Sequence, residues 1–105
     1  MRMNSDTIIE IAIDDSGRLT IKPKTQKFAH IYRAATEVHW DSINERLYSP
    51  KPREWSHLDW YKHMISGVES EYGCKLVLAE DTQWINVPNK LKNEIEAWEK
   101  TIRQN

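Results

Sequence analysis

The stretch SPKPREWSHLDWYKHM, Ser49–Met64, fixes where the first long helix of the chain begins. Pro50 and Pro52 each hold φ near one value and push the preceding residue toward an extended conformation, so the chain approaches the helix as a stiff connector. Ser56 with Asp59 three residues later forms the pattern of a capping box. We therefore predict a helix whose N-cap is Ser56.

The two tryptophans that flank this cap have a structural interpretation beside a functional one. Trp55 and Trp60 stand at the two positions of a hydrophobic staple. The predicted helix covers residues 56–72 and is stopped by Gly73. Gly67, inside the helix, indicates a close approach by another surface, which is either the protein's own core or a partner. The core stripe of this helix consists of Leu58, Tyr61, Ile65, Val68 and Tyr72, with Met64 at its margin.

The remainder of the chain predicts strands arranged as hairpins. Residues 7–13 alternate with Ile9, Ile11 and Ile13 on one face, and the DDSG turn joins them to a second strand, RLTIKP. Residues 28–36 fit a short helix or an irregular strand, and a second hairpin follows around residues 38–50. CKLVLAED is apolar on both faces, which favours a central strand, and a tight AEDT turn pairs it with TQWINV.

The last segment, PNKLKNEIEAWEKTIRQN, predicts a helix over residues 88–103 with Pro88 at its start. Hairpins punctuated by two helices indicate an α+β fold in which an antiparallel sheet packs against both helices, within one domain of residues 1–105. The apolar stripe of the last helix fits either the protein's own sheet or a seam with a second copy, as in a dimer. That stripe is Leu91, Ile95, Trp98 and Ile102.

Composition excludes several classes of protein. A formal net charge of -1 over 105 residues provides no basic field for nucleic acid. No apolar run is long enough for a membrane span or a signal sequence, so we expect a cytoplasmic protein. A lone Cys74 beside an apolar run is typical of a buried thiol.

Five tryptophans and four tyrosines are the feature that suggests binding. Aromatic side chains with a polar tip favour small-molecule pockets and protein interfaces, although core packing accounts for most of them. We hypothesise a pocket for a small molecule or a protein around the connector. It is bounded by Trp40, Tyr48, Arg53, Trp55 and Trp60, with His39 or His63 at its mouth.

A catalytic interpretation rests on Glu37, His39 and Asp41, which alternate along one predicted strand and point the same way. Two carboxylates beside a histidine can perform acid–base chemistry if they are desolvated, with Arg53 holding an anion. A solvated sheet face explains the same pattern, so no catalytic residue is assigned. No metal-ligand spacing and no phosphate-loop or dinucleotide motif is present, and we expect neither a metal nor another cofactor.

Residues 32–64, YRAATEVHWDSINERLYSPKPREWSHLDWYKHM, resemble small proteins carried on bacterial integron gene cassettes. That group consists of short, soluble proteins of unknown function, and the resemblance implies homo-oligomers and occasional small-molecule pockets. We therefore expect a non-enzymatic, self-associating module that binds a small molecule or a protein. A small hydrolase or modifying enzyme is one alternative, and an immunity or antitoxin-like partner protein is another.

Overall fold

The computed structural model describes residues 4–103, and within them lie six strands, a 3-10 helix and two α-helices. The side chains of Asn4 and Arg103 are outside the description. The elements in chain order are β1 (Asn4–Ile13), β2 (Leu19–Pro23), the 3-10 helix (Ile31–Arg33), β3 (His39–Asp41), β4 (Arg46–Tyr48), α1 (His57–Tyr72), β5 (Cys74–Val77), β6 (Gln83–Ile85) and α2 (Asn89–Arg103).

The α+β class is confirmed, with a sheet that is mixed and not wholly antiparallel. Its order is β3-β4-β2-β1-β5, and β6 also pairs with β1. The two predicted hairpins, β1 with β2 and β3 with β4, are antiparallel, as is the pairing of β2 with β4. Both β5 and β6 run parallel to β1. The ambiguous residues 28–36 contain the 3-10 helix.

The prediction that residues 74–81 form a central strand paired with the next strand is wrong. β5 lies at one end of the sheet, and its exposure alternates because Cys74 and Leu76 are buried whereas Lys75 is exposed. β6 does not pair with β5 across the predicted turn. The two strands instead follow one another along the same side of β1, where β5 pairs with residues 4–7 and β6 with residues 10–12.

A break in register within β1 separates these two pairings. The register between β1 and β2 shifts between Ile8 and Glu10, and this irregularity moves the buried face by one residue. Ile8 and Ile11 are therefore fully buried while Ile9 is 36% exposed, which corrects the predicted Ile9, Ile11, Ile13 face. The buried Thr82 hydroxyl donates to the Ile8 carbonyl at 2.7 Å, so the carbonyl beside the break is satisfied.

The predicted start and end of α1 are confirmed. The Ser56 hydroxyl accepts a hydrogen bond from the Asp59 amide at 3.2 Å, and the Ser56 amide donates to Asp59 Oδ2 at 3.1 Å. Trp55 and Trp60 pack with their ring centroids 4.7 Å apart, as a hydrophobic staple requires. Gly73 ends the helix with φ 60°, in the left-handed region that favours glycine.

Gly67 allows α1 to approach the 3-10 helix. A Cβ added at Gly67 would lie 2.7 Å from the Ala35 Cβ, which is closer than two carbon atoms can pack. The close approach predicted from the sequence is therefore to the protein's own core. It fixes the segment that leads from the 3-10 helix into β3.

The helix α2 follows Pro88 and buries part of its apolar stripe in the same core. Leu91 is 7% exposed and Ile95 is fully buried. Trp98 is half-buried against the core, with its ring centroid 5.7 Å from that of Tyr61, and Ile102 is 38% exposed. No helix within residues 4–103 is both long and apolar enough to span a bilayer.

Candidate functional site

A cavity of about 570 Å³, which we call the aromatic pocket, opens where the connector meets α1. Three segments line it. They are the turn of Thr36 and Glu37, the connector residues Lys51, Arg53, Glu54 and Trp55, and Trp60 and His63 of α1.

Three rings in tilted and edge-to-face contact form the wall of the aromatic pocket. Trp55 lies 4.7 Å from Trp60 and 5.2 Å from His63, and Trp60 lies 5.7 Å from His63, measured between ring centroids. Trp60 is 7% exposed, so it belongs to the core as much as to the pocket. Trp55 is 44% exposed and presents most of the ring surface that a ligand could contact.

The indole N–H of Trp60 is a buried donor with no acceptor among residues 4–103. A buried polar group without a partner costs about 1–3 kcal/mol, and most native groups of this kind are satisfied. The hydrogen-bonding capacity of this atom is left unused by the described residues, inside the wall of the aromatic pocket.

The rim of the aromatic pocket carries charges of both signs. Lys51 and Arg53 face Glu37 and Glu54 across the opening. The Arg53 guanidinium approaches the Glu37 carboxylate at 3.8 Å, and because both side chains are mostly exposed, this pair contributes little stability. The two cations and two carboxylates leave the rim without a net charge.

Contacts with the core hold the walls of the aromatic pocket in place. His63 Nε2 lies 3.3 Å from the Thr36 carbonyl, and the tautomer protonated at Nε2 donates to it. Glu37 has φ 68°, an unusual value for a residue other than glycine, in the turn that precedes β3. The connector is fixed at one end by buried Ser49, whose amide donates to the Leu19 carbonyl at 3.0 Å.

The structure brings together four of the seven residues in the predicted binding site. Arg53, Trp55, Trp60 and His63 line the aromatic pocket. The other three lie on the β3–β4 hairpin. They are His39, Trp40 and Tyr48. Trp40 packs against Phe28 at 5.9 Å between ring centroids, and His39 lies 5.7 Å from Tyr48.

Trp40 and Tyr48 line a second hollow of about 280 Å³, which we call the arginine pocket. It is also lined by Arg18, which immediately precedes β2, and by Arg46 of β4. The guanidinium of Arg18 lies 4.8 Å above the Tyr48 ring centre. The rest of its lining comes from the two hairpin turns and from the strand residues beside them. Those residues are Asp14, Thr20, Asp41, Ser42 and Ile43.

Hydrogen bonds lower the pKa of both aspartates in the arginine pocket. Hydrogen bonds from the Asn44 side chain and amide are the main cause for Asp41. Burial alone would raise the pKa of Asp14, but hydrogen bonds from the Arg18 amide and side chain, together with the charge of Arg18, outweigh it. Both carboxylates are therefore ionised at neutral pH.

The proposed catalytic trio does not share one face. Glu37 precedes β3 and lines the aromatic pocket, whereas Asp41 ends β3 and lines the arginine pocket. The positive φ of Glu37 breaks the alternation on which the prediction depended. Among residues 4–103, no three His, Cys, Asp or Glu side chains cluster closely enough to hold a metal ion.

Sequence reasoning missed several pocket residues. Thr36, Lys51 and Glu54 line the aromatic pocket because tertiary packing brings the turn and the connector together, and no local pattern indicates that contact. Arg46 had a detectable signal, because it pairs with Asp41 across the β3–β4 hairpin. The position of Arg18 in the arginine pocket had no local signal, because it depends on the register of β2 against β4.

The apolar stripe of α2 is divided between the core and the surface. Leu91 and Ile95 are buried within this chain, so they are not available to a second copy while α2 is docked. Trp98 and Ile102 line a third groove together with Ile65 and Leu76. Only this end of the predicted seam is accessible.

Comparisons with known proteins point to one family. The family model described as Integron Cassette Protein Hfx_Cass5 matches residues 6–82. A solved structure titled as coming from the mobile metagenome of North West Arm Sewage Outfall, Integron Cassette Protein Hfx_Cass5, is 41% identical. That match covers 91% of this chain and 96% of the solved chain, with a TM-score of 0.48. Among curated proteins, none matches.

Proposed function

The chain belongs to the Hfx_Cass5 family of integron cassette proteins, and we propose that it is a binding protein whose aromatic pocket holds a flat small molecule. The observation that carries this proposal is the arrangement of Trp55 over Trp60. One indole is buried and fixed by the core, and the other is held against it with 44% of its surface exposed.

The dimensions and lining of the aromatic pocket support a small ligand. Its volume of about 570 Å³ falls within the range of about 300–1,000 Å³ that is usual for ligand pockets. Aromatic walls with a few polar groups at the rim are the typical composition of such sites. A planar molecule can stack on Trp55 in the offset or edge-to-face arrangements that aromatic rings prefer.

The charges of the rim favour a ligand without a large net charge. Lys51 and Arg53 are balanced by Glu37 and Glu54, so the rim attracts anions no more strongly than cations. A neutral or zwitterionic molecule fits this balance.

The separation of Glu37 from His39 and Asp41 favours binding over catalysis. A general acid and a general base must reach the same reacting atoms, and these three side chains are divided between two hollows and an exposed strand position. The hydrolase alternative therefore has less support than the binding protein.

Self-association is the other part of the proposal. Because Leu91 and Ile95 are buried, any contact between two copies through α2 would use Trp98 and Ile102. An Ile102→Glu variant tests this surface without touching the core, and we expect it to lower the mass measured by light scattering on a sizing column. A wild-type protein that elutes as a monomer would remove this part and leave the aromatic pocket unaffected.

The binding proposal is tested by a titration of intrinsic tryptophan fluorescence with a library of flat, neutral heteroaromatic compounds. We expect saturable changes for some compounds and about tenfold weaker binding in Trp55→Ala, because the variant removes the exposed stacking surface. Tyr32→Ala is the matched control, since Tyr32 is an exposed aromatic residue that lies outside the aromatic pocket.

Two results would overturn the binding proposal. One is a flat fluorescence response across the whole library. The other is an equal loss of affinity in Trp55→Ala and Tyr32→Ala, which would indicate unspecific contact with exposed rings. The melting temperature of each variant shows whether a loss of affinity comes from unfolding.

A further inference from the structure

The arginine pocket contains more hydrogen-bond donors than its own acceptors use. An arginine side chain carries five N–H donors in a planar fork. Among residues 4–103, the Arg18 guanidinium makes one hydrogen bond, from Nε to Asp14 Oδ2 at 2.9 Å. Arg46 approaches Asp41 only as an ion pair at 3.8 Å, too long for a hydrogen bond.

The two aspartates are already engaged by the turns that carry them. Asp14 Oδ1 accepts from the amides of Ser16 and Arg18, both at 2.9 Å. Asp41 accepts from the Ile43 amide at 3.0 Å and from the Asn44 side chain at 2.8 Å. These carboxylates neutralise the charge of the arginines, but Oδ1 of each is taken up by the turn backbone, and Asp41 Oδ2 accepts from the Asn44 side chain.

Arg46 shows the resulting deficit most clearly. Its side chain is 24% exposed, and its Nε atom is buried with no hydrogen-bond partner in the part of the chain that the structure describes. A charged donor in this state is more costly than a neutral one, since hydrogen bonds to charged groups are worth roughly twice as much. Arg46 also lines the arginine pocket, so the exposed part of its guanidinium is available to an acceptor that enters the hollow.

The strand register places both guanidinium groups on one face of the sheet. Tyr48 pairs with Thr20 across β2 and β4, and Arg46 is two residues from Tyr48, so the two side chains point the same way. Arg18 reaches this face by lying over the Tyr48 ring, and Asp41 reaches it by pairing with Arg46. This face is separate from the aromatic pocket on the side of α1.

We propose that the arginine pocket binds an oxyanion, a phosphate or sulfate group, through the guanidinium forks of Arg18 and Arg46. Ser42 also lines the arginine pocket, and the Tyr48 ring beneath Arg18 provides a flat wall. The hollow of about 280 Å³ holds either the free ion or the same group on a small organic body. This binding is independent of the ligand proposed for the aromatic pocket.

Recognition here depends on the direction of the hydrogen bonds and not on a long-range field. The two aspartates balance the two arginines, so the arginine pocket has no formal net charge. Lysine supplies the same charge as arginine without the planar fork that matches oxyanion geometry. The substitution of arginine by lysine therefore distinguishes a built site from general attraction of an ion.

The test is a titration with inorganic phosphate at constant ionic strength, followed through the Nε–H signals of the arginines in two-dimensional ¹H–¹⁵N NMR. We expect saturable shifts of the Arg18 and Arg46 signals. Arg46→Lys should weaken the affinity about tenfold, because the directional hydrogen bonds to a charged group are lost. Arg53→Gln, which removes an exposed arginine of the aromatic pocket, is the matched control and should leave the affinity unchanged.

Arg18→Gln provides a second variant in case Arg46→Lys does not fold, because the Arg18 side chain is 40% exposed. Phenyl phosphate in place of phosphate identifies the source of the oxyanion: tighter binding indicates an organic phosphate, and equal binding indicates the free ion. The proposal is overturned if the Arg46 signal does not move. It is equally overturned if Arg18→Gln and Arg53→Gln weaken phosphate binding by the same factor.

Discussion

The aromatic pocket and the arginine pocket are each lined by one residue with a buried N–H group that has no acceptor among residues 4–103, namely Trp60 and Arg46. The two pockets differ in what holds these groups. Trp60 is part of the core, so the wall of the aromatic pocket is also part of the scaffold. Arg46 is held by a short hairpin whose turn is organised by Asp41. Stability and binding are therefore coupled in the first pocket and more nearly separable in the second.

The largest effect is expected at Trp60. Trp60→Ala should lower the free energy of unfolding by about 3–5 kcal/mol, because it leaves a large cavity in the core beneath Trp55. Denaturant unfolding measures this loss. Trp60→Phe is the control, since it retains most of the buried ring. A loss below about 1 kcal/mol for Trp60→Ala would show that the wall of the aromatic pocket is not part of the scaffold.

The next effect tests how firmly the turn of Thr36 and Glu37 is held. Gly67→Ala should cost up to about 2 kcal/mol, since overpacking against Ala35 costs about 1–3 kcal/mol and the better helix propensity of alanine returns about 1 kcal/mol. Adding Ala35→Gly should recover part of that loss in a double-mutant cycle of unfolding free energies. If the changes in unfolding free energy of Gly67→Ala and Ala35→Gly are additive in the double variant, the clash does not lie between these two residues.

A smaller loss is expected at the helix cap beside the aromatic pocket. Ser56→Ala should lower the free energy of unfolding by about 0.5–2 kcal/mol, because the Asp59 amide loses its acceptor. The affinity for ligands of the aromatic pocket should stay the same, since Ser56 does not line it. An unchanged melting temperature would contradict the role of the cap, and a lost ligand would contradict the separation of cap from binding.

The smallest effect is a change in the pH dependence of the melting temperature, and it is specific to the arginine pocket. The pKa of Asp41 is lower in the folded chain than in the unfolded chain, so its contribution to stability is fully present above the ordinary carboxyl value of about 4 and is lost as the pH falls through the folded pKa. Asp41→Asn should make the acid-side fall in melting temperature shallower. Trp55→Ala should instead lower the melting temperature equally at every pH, so that the slope on the acid side stays the same. Equal slopes in wild type and Asp41→Asn would refute this account.

Features set by neighbouring residues were predictable from the sequence. The capping box of Ser56 and Asp59, the staple of Trp55 and Trp60, and the two hairpins each depend on residues a few positions apart. The same local rules found four residues of the aromatic pocket, because the connector and the first turns of α1 are adjacent in sequence.

Features set by distant residues were not predictable. The parallel pairing of β5 and β6 with β1 joins residues about 70 positions apart, and an alternating apolar pattern does not distinguish a parallel partner from an antiparallel one. The break near Ile8 reverses the face of the strand without any glycine or proline within β1 to mark it, and Pro23 lies opposite Ile8 only through the pairing with β2. Glu37 also lies outside the expected strand, in the turn before β3 with φ 68°, and no local pattern indicates that angle.

The tandem pairing of β5 and β6 along β1 has a consequence for the order in which the protein can be assembled on the ribosome. One side of β1 can pair with β2 as soon as residues 19–23 have been synthesised, but its other side finds its partners only at residues 74–77 and 83–85. Until then β1 presents an open row of backbone groups, which is the kind of edge on which chains aggregate. Contacts of such long sequence separation also slow folding. Slower translation between residues 24 and 74 should therefore lower the yield of folded protein, because it prolongs the exposure of that edge.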